Sequence, residues 1–370
     1  MKISILLPDL RGGGVERVRI ILAHEFARVG HDVEFVIKQA RGELLEEVQK
    51  NFAIVELATP RVRNVMPALI RYLRQSRPDA LLAAMWPLTA IAPLAQRLSG
   101  HRCKVVVSEH NTLSQQYCGW GKFHRATLCG SAGVGYRLAH ARVAVSDGVA
   151  WDIASLSRVS RSAFTVIHNP VRPFAGAGAG AVDRARGDEF WSGPCGARIL
   201  TVGSMKPQKN HPLLLRAFAR LSRTDARLMF VGDGAGRNTL EVLAKELGVA
   251  ERVIFVGFQR DPVQFYQTAD LFVLSSDYEG FGNVLVEALA SGTPVVSTDC
   301  PSGPSEILEG GRFGRLVPVG DEAALFRAMQ TELNTPPDPD YLRARAADFS
   351  PVIAAQKYLD LIEPEDKLND

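Results

Sequence analysis

Short apolar runs alternate with helical patterns along nearly the whole chain, and this rhythm restricts the fold more than any other feature. Runs near 2–7, 33–37, 53–57, 80–84, 104–108 and 142–145 read as buried strands. A second series follows near 198–202, 227–231, 253–256, 271–274, 295–298 and 315–317. Strands that alternate with helices pair in parallel through βαβ units, which predicts the α/β class with doubly wound sheets. The rhythm breaks between Pro173 and Ala197, where Ala175–Ala181 is an alternation of Ala and Gly. Such side chains are too small to pack, and the glycines disfavour a stable helix. The expected division is therefore a Rossmann-like domain over 1–172, an interdomain connection over 173–197, a second Rossmann-like domain over 198–350, and a last helical segment over 351–370. A chain of 370 residues accommodates two such cores. Open α/β sheets bind ligands beyond the carboxyl ends of their strands, so two of them are expected to face each other across a cleft.

Composition excludes several classes. Hydrophobic residues make up 46% of the chain, as in ordinary globular proteins. No apolar stretch reaches the length of a membrane span, and Met1–Pro8 reads as a first strand rather than a signal peptide, so a cytoplasmic protein is expected. Five scattered cysteines without a C-x-x-C pair argue against a disulfide framework or a zinc site. The net charge of +3 is unevenly spread. Residues 1–170 hold 22 Lys and Arg against 13 Asp and Glu, whereas 171–370 hold 21 against 27. The basic half suggests an anionic partner, with Arg61, Arg63, Arg71, Arg74, Arg77, Arg97 and Arg102 as a candidate face. A solvated Arg-rich surface fits the same residues. A membrane surface or a polyprenyl-diphosphate acceptor would use the charge; no motif points to nucleic acid.

The run from Ser275 to Leu308 carries the chemistry. Glu279 lies in a glycine-containing loop and Glu287 in the first turns of the following helix. Asn283 can cap that helix through Ser291, with Gly292 at its exit. Amides of Phe281, Gly282 and Asn283 lie between the two carboxylates, at a helix N-terminus suited to phosphate. The carboxylates suit neutral hydroxyls, so a diphosphate flanked by two sugars fits the pattern. Either glutamate alone fits an ordinary βαβ unit with its carboxylate in water. The apolar surroundings of Glu287 (Val286, Ala288, Leu289) predict burial and hence a partner.

With these residues in view, the chain resembles family 4 glycosyltransferases of the GT-B fold. The E-x7-E pattern is matched by Glu279 and Glu287. Further landmarks fall in order: Gly12–Arg17, Ile167–Val171, Val202-Gly203 with Pro207–Asn210, Val231–Gly234 and Val256–Phe258. The resemblance implies that Gly13 and Gly14 reach towards donor phosphates, a backbone approach that a flexible glycine turn would also explain. It implies that His110 touches the donor sugar near the reacting carbon, with Glu109 and Asn111 as acceptor-side candidates. Lys209 would meet the diphosphate. An Arg common in the family five residues earlier is replaced by Ser204, and Lys206 is the candidate substitute, although it lacks a planar fork. Gly232, Gly257 and Phe258 would hold the nucleotide base, largely through backbone groups. Phe281, Gly282, Asn283, Val284 and Glu287 complete the donor set. Gly303–Glu306 either shapes the sugar pocket or is a plain loop. The amphipathic stretch from Ser350 to Glu363 would return to the first domain.

The expected activity is retaining transfer of a hexosyl or N-acetylhexosaminyl group from a UDP-sugar to a glycan or lipid-linked glycan in cell-surface polysaccharide synthesis. His110, Lys209 and Glu279 are the catalytic candidates. No cofactor or metal is expected, because no D-x-D-like cluster lies near the phosphate loop. Location would be cytoplasmic, with peripheral contact at the inner membrane face. A non-catalytic nucleotide-sugar-binding protein is the alternative. A dehydrogenase is a further competitor, although neither Gly12–Gly14 nor Val231–Gly236 has the dinucleotide spacing.

Overall fold

The structure is a computed structural model that describes residues 1–172, 187–191 and 195–363. The Ala/Gly alternation at 175–181 lies outside the described residues. The chain divides into two compact units, Met1–Pro170 with Pro351–Asp370, and Val171–Ser350.

In the first unit, seven parallel strands form one sheet: β1 (Lys2–Leu7), β2 (Asp32–Ile37), β3 (Ala53–Glu56), β4 (Ala80–Ala84), β5 (Lys104–Glu109), β6 (Ala141–Ala144) and β7 (Thr165–Val166). Their order is β3-β2-β1-β4-β5-β6-β7. Central strands such as β4 are buried at every residue, as parallel strands covered on both faces must be. The edge strand β7 has two residues, too few for any periodicity to announce it. Helix Pro351–Ile362 belongs to this unit; its Tyr358, Leu359 and Ile362 join the core that contains Phe26 and Phe35. Each such buried side chain contributes about 1.5–3 kcal/mol.

In the second unit the sheet contains β8 (Ala197–Val202), β9 (Ala226–Val231), β10 (Val253–Gly257), β11 (Leu271–Leu274), β12 (Val295–Thr298) and β13 (Arg315–Val317), in the order β10-β9-β8-β11-β12-β13. Trp191, within the span read as a connection, is fully buried here and donates its indole N–H to Thr268 Oγ1 at 2.9 Å.

In each sheet the strand order reverses between the first and fourth strands of the unit, at β1/β4 and β8/β11. Loops leaving those strands diverge, and the crevice between them is where open α/β sheets take ligands.

The arginines proposed as one basic face do not form one. All are exposed. Arg61 and Arg63 follow the carboxyl end of β3, whereas Arg77 and Arg102 stand just before β4 and β5, at the opposite edge of the sheet. Arg74 is in the last turn of helix Val65–Ser76, where it donates to the carbonyls of Leu98 and Ser99.

Candidate active site

The second unit's reversal point is built by two loops that tie each other down. The first leaves β8 as Gly203–Asn210, and its Pro-Gln-Lys-Asn sequence explains its shape residue by residue. Pro207 opens a single 3-10 turn, where its missing N–H is harmless. Gln208 donates its side-chain amide to the Tyr278 carbonyl at 2.9 Å. Lys209 places Nζ 2.6 Å from Glu279 Oε1. Asn210 takes the left-handed conformation that Asn tolerates, at φ 43°, and donates to Asp277 Oδ1 at 2.7 Å. The Lys209 stem crosses Gly203, where an added Cβ would lie 3.4 Å from Cε.

The second loop leaves β11 as Ser275–Gly282. Glu279 is buried, and its Oε1 accepts from Lys209 and, at 2.6 Å, from the Ser276 hydroxyl. Ser276 is itself held through its carbonyl by the Thr298 hydroxyl at 2.6 Å. The loop ends at Gly282, whose φ of 96° and ψ of 51° start helix Asn283–Ser291. The cap is therefore one residue earlier than the sequence suggested, at Gly282, and it is a backbone cap, because Asn283 is the first helical residue. Gly282 holds a conformation that costs other L-residues energy, and it aims the first-turn amides of a nine-residue helix at the mouth of the loop. Gly303 makes this possible from the neighbouring loop, because a Cβ there would sit 1.9 Å from the Phe281 carbonyl oxygen.

The remaining donor candidates separate into groups. Phe281 is buried with its ring 5.5 Å from that of Phe349, so only its backbone can meet a ligand. Val284 and Asn283 are half-buried in the first turn. Glu287 is half-buried rather than buried, and the sequence-expected partner is the hydroxyl of Tyr266, which donates to Oε2 at 2.7 Å. Gly232 donates its N–H to the Gly257 carbonyl at 2.9 Å, and a Cβ on Gly232 would lie 2.0 Å from the Gly203 carbonyl oxygen. The loops after β8, β9 and β10 thus meet at backbone distance only because these positions are glycine. Phe258 projects from the end of β10 with 46% of its surface exposed. Lys206 is exposed and forms no ion pair among the described residues; the Ser204 carbonyl accepts its backbone N–H at 2.8 Å. His211, absent from the sequence reading, is buried beside Lys209, and burial together with that positive charge pushes its pKa down to about 3.

In the first unit, β5 ends in Glu109, His110 and Asn111. Glu109 is buried; Tyr136 donates its hydroxyl to Oε2 at 2.9 Å, and the His110 N–H reaches Oε1 at 3.3 Å. Burial outweighs these bonds and raises the carboxyl pKa to about 7. His110 is buried over Ser108, with Nε2 and Oγ 3.0 Å apart, and burial followed by the charge of Arg19 holds its pKa well below the usual value. Asn111 is spent within its own loop, donating to Gln116 Oε1 at 2.9 Å and accepting the Thr112 N–H at 3.0 Å. Gly13 is the N-cap of helix Gly14–Arg28, and the Glu16 carboxylate lies against it: a Cβ on Gly13 would be 2.5 Å from Oε2. Gly12 donates its N–H to Glu43. Acidic groups thus already attend this helix start. Ser276, Tyr266, Tyr136 and Arg19 were not visible as site residues in the sequence, because hydroxyls and a lone arginine carry no spacing signal.

Comparison with known proteins places these loops in a family context. A family model described as "Glycosyl transferases group 1" matches residues 196–349, and one described as "Glycosyltransferase Family 4" matches residues 12–173. A lipopolysaccharide core biosynthesis glycosyltransferase, LpsE of Rhizobium meliloti, is 30% identical over 327 residues, which cover 86% of this chain and 85% of that protein. A Campylobacter jejuni N-acetylgalactosaminyltransferase acting on a diphospho-undecaprenol-linked saccharide is 42% identical over 135 residues, covering 36% of this chain and 37% of that protein. Among solved structures, Anabaena HepE in complex with UDP-glucose superposes with a TM-score of 0.82 at 20% identity, covering 97% of this chain and 98% of that one. The outer core galactosyltransferase WaaB gives 0.75 at 21% identity, covering 98% and 99%. These structural likenesses establish the GT-B fold.

Proposed function

The chain belongs to the family 4 glycosyltransferases, and from that membership we propose that it transfers a hexosyl or N-acetylhexosaminyl group from UDP to a glycan or lipid-linked glycan, with retention at the anomeric carbon. One observation carries the reading: half-buried Lys209, paired with buried Glu279, stands beside the first turn of helix Asn283–Ser291, at the reversal point of the second sheet. Lys209 and the first-turn amides supply positive charge for a departing diphosphate, which is where negative charge develops when the glycosidic bond breaks. Lys206, free of ion pairs among the described residues and on the same loop, adds to that charge. Glu279 and Glu287 accept hydrogen bonds from sugar hydroxyls. Retention follows if the leaving phosphate takes the acceptor proton on the face it departs from. Charge for the diphosphate then comes from the protein, so no metal is required.

The nucleotide and acceptor are inferred from relatives. HepE was solved with UDP-glucose, the Campylobacter relative acts on a lipid diphosphate, and LpsE builds lipopolysaccharide core. No helix among the described residues is long and apolar enough to cross a membrane, and the surplus of positive charge in residues 1–170, spread over both ends of the strands rather than gathered on one face, suits peripheral contact with anionic lipid headgroups at the inner face of a cytoplasmic membrane. His110, Gly13 and Gly14 are the proposed substrate-facing groups of the first unit, whereas Glu109 is buried with its carboxylate on Tyr136 and the His110 N–H.

A panel of UDP-, GDP- and ADP-sugars, assayed for slow hydrolysis with and without EDTA, tests the proposal. UDP release that survives EDTA and disappears in Glu279→Ala supports it. Turnover of none of the donors would favour a non-catalytic binding protein, a reading that Ser204 motivates by leaving the phosphate loop without its usual arginine.

A further inference from the structure

Arg19 is the most unusual charge in the first unit. It lies in helix Gly14–Arg28 with no exposed surface, and its Nε and Nη1 have no hydrogen-bond partner among the described residues. A buried charge left without an opposite charge costs several kcal/mol, so Arg19 is not a stabilising device. Its guanidinium lies over the Tyr358 ring, 5.1 Å from the centroid. Only Nη2 is engaged, and it donates in two directions: to Ser108 Oγ, and to His110 Nε2 at 3.4 Å.

We propose that Arg19 is a positioning residue that fixes His110 as the neutral tautomer with its hydrogen on Nδ1. The guanidinium has five donors and no acceptor, and it does not lose its proton in proteins. A hydrogen on Nε2 would point directly at an Arg19 N–H. Ser108 Oγ already accepts from Arg19, so its own hydrogen is left to give; of its two acceptors, Nε2 stands at 3.0 Å and the Ala83 carbonyl at 3.5 Å, so the nearer Nε2 receives it. The Nε2 lone pair therefore faces two donors, and the ring hydrogen is confined to Nδ1. Among the described residues that atom has no partner in bonding geometry, and the Asn169 side chain is close enough to favour the protonated ring. Burial and the Arg19 charge oppose an imidazolium, so the same neutral form persists at and below neutral pH.

The mechanistic consequence rests on the transferase reading. With Nε2 occupied by donors and Nδ1 already protonated, His110 cannot take a proton from an acceptor hydroxyl. It can only give a hydrogen bond from Nδ1, to an oxygen such as a sugar hydroxyl. Its role is orientation rather than base catalysis, which agrees with the proposal that the leaving phosphate takes the acceptor proton.

The test is the pattern of imidazole nitrogen signals in the full-length protein labelled with 15N-histidine, recorded without substrate, with His110→Gln to assign the ring. The expected result is a protonated-type Nδ1 and an unprotonated-type Nε2, unchanged between about pH 6 and 8. Ser108→Ala keeps this pattern, because Arg19 alone still only donates. Adding Arg19→Met to Ser108→Ala releases the ring to the other tautomer or to a mixture. A hydrogen on Nε2 in the wild type, or an unchanged pattern in the double variant, overturns the proposal. If the double variant does not fold, the wild-type and Ser108→Ala spectra still decide. Because no donor is present, absence of glycosyl transfer would refute the functional reading while leaving this result intact.

Discussion

Replacing Lys209 by Met should strand a carboxylate. The ammonium sits 2.6 Å from Glu279, with side-chain exposures of 15% and 8%. Breaking a fully buried pair costs about 3–5 kcal/mol, because the remaining charge loses its compensation. Here Lys209 keeps some contact with water and the Ser276 hydroxyl stays on Glu279, which reduces the expected loss to about 2–3 kcal/mol. The second unit spans 180 residues, Val171–Ser350, for which each kcal/mol lowers Tm by about 2–4 °C. The Lys209→Met transition should therefore fall by about 4–12 °C, as followed by calorimetry. Adding Glu279→Gln removes the stranded charge and should recover more than half of that loss, although both residues are then gone. Neither variant should be stabilised by UDP, whereas the wild type should gain in Tm as the nucleotide concentration rises. A Lys209→Met protein that melts with the wild type, or a double variant as unstable as the single one, would refute the reasoning, since the pair would then be spent in solvent.

Other consequences follow from the same geometry. Burial raises the Glu109 carboxyl from its ordinary value of 4.5 to about 7 in the folded protein, so the folded state holds the proton more tightly. Its contribution to stability is complete below about pH 4 and is lost as pH rises through about 7, an effect of about 3 kcal/mol; Glu109→Gln should flatten the stability profile across that window. Gly303→Ala puts a Cβ 1.9 Å from the Phe281 carbonyl oxygen at a φ of 94°, and should cost about 2–4 kcal/mol while displacing the Glu279–Gly282 loop. UDP affinity should fall at least tenfold in a variant that remains folded, measured by isothermal titration; unchanged affinity would mean that this loop does not hold the nucleotide. Gly232→Ala should act likewise on the loops after β8, β9 and β10, where its Cβ would meet Gly203 at 2.0 Å.

The legible part of this protein was its periodicity. Strands such as β4 and β11 are buried throughout, so their apolar runs stand out, and the βαβ alternation leaves few parallel-sheet arrangements. Motif glycines were legible because backbone contact needs them: Gly232, Gly282 and Gly303 each occupy a site that a side chain would block or strain. Side-chain pairing was less accessible. Lys209 and Glu279 were each expected to face substrate, yet they are separated by 70 positions and hold each other. Asn283 had the right chemistry for a cap, but the left-handed turn at Gly282 ends the loop before Asn283 can serve. The arginines of the first unit looked like one patch because sequence proximity does not say which edge of a sheet a turn occupies. Arg77 and Arg102 precede strands, and Arg61 and Arg63 follow one. The Arg19, Ser108 and His110 contacts involve one residue on a helix and two at a strand end, a combination with no signature along the chain.

The most direct test is a crystal structure grown with excess UDP. Diphosphate density beyond the carboxyl ends of β8 and β11, within hydrogen-bonding reach of Lys209 Nζ and the first-turn amides of helix Asn283–Ser291, is the predicted result. Nucleotide bound at any other place on the chain, or absent while a competent donor is turned over, would contradict the account.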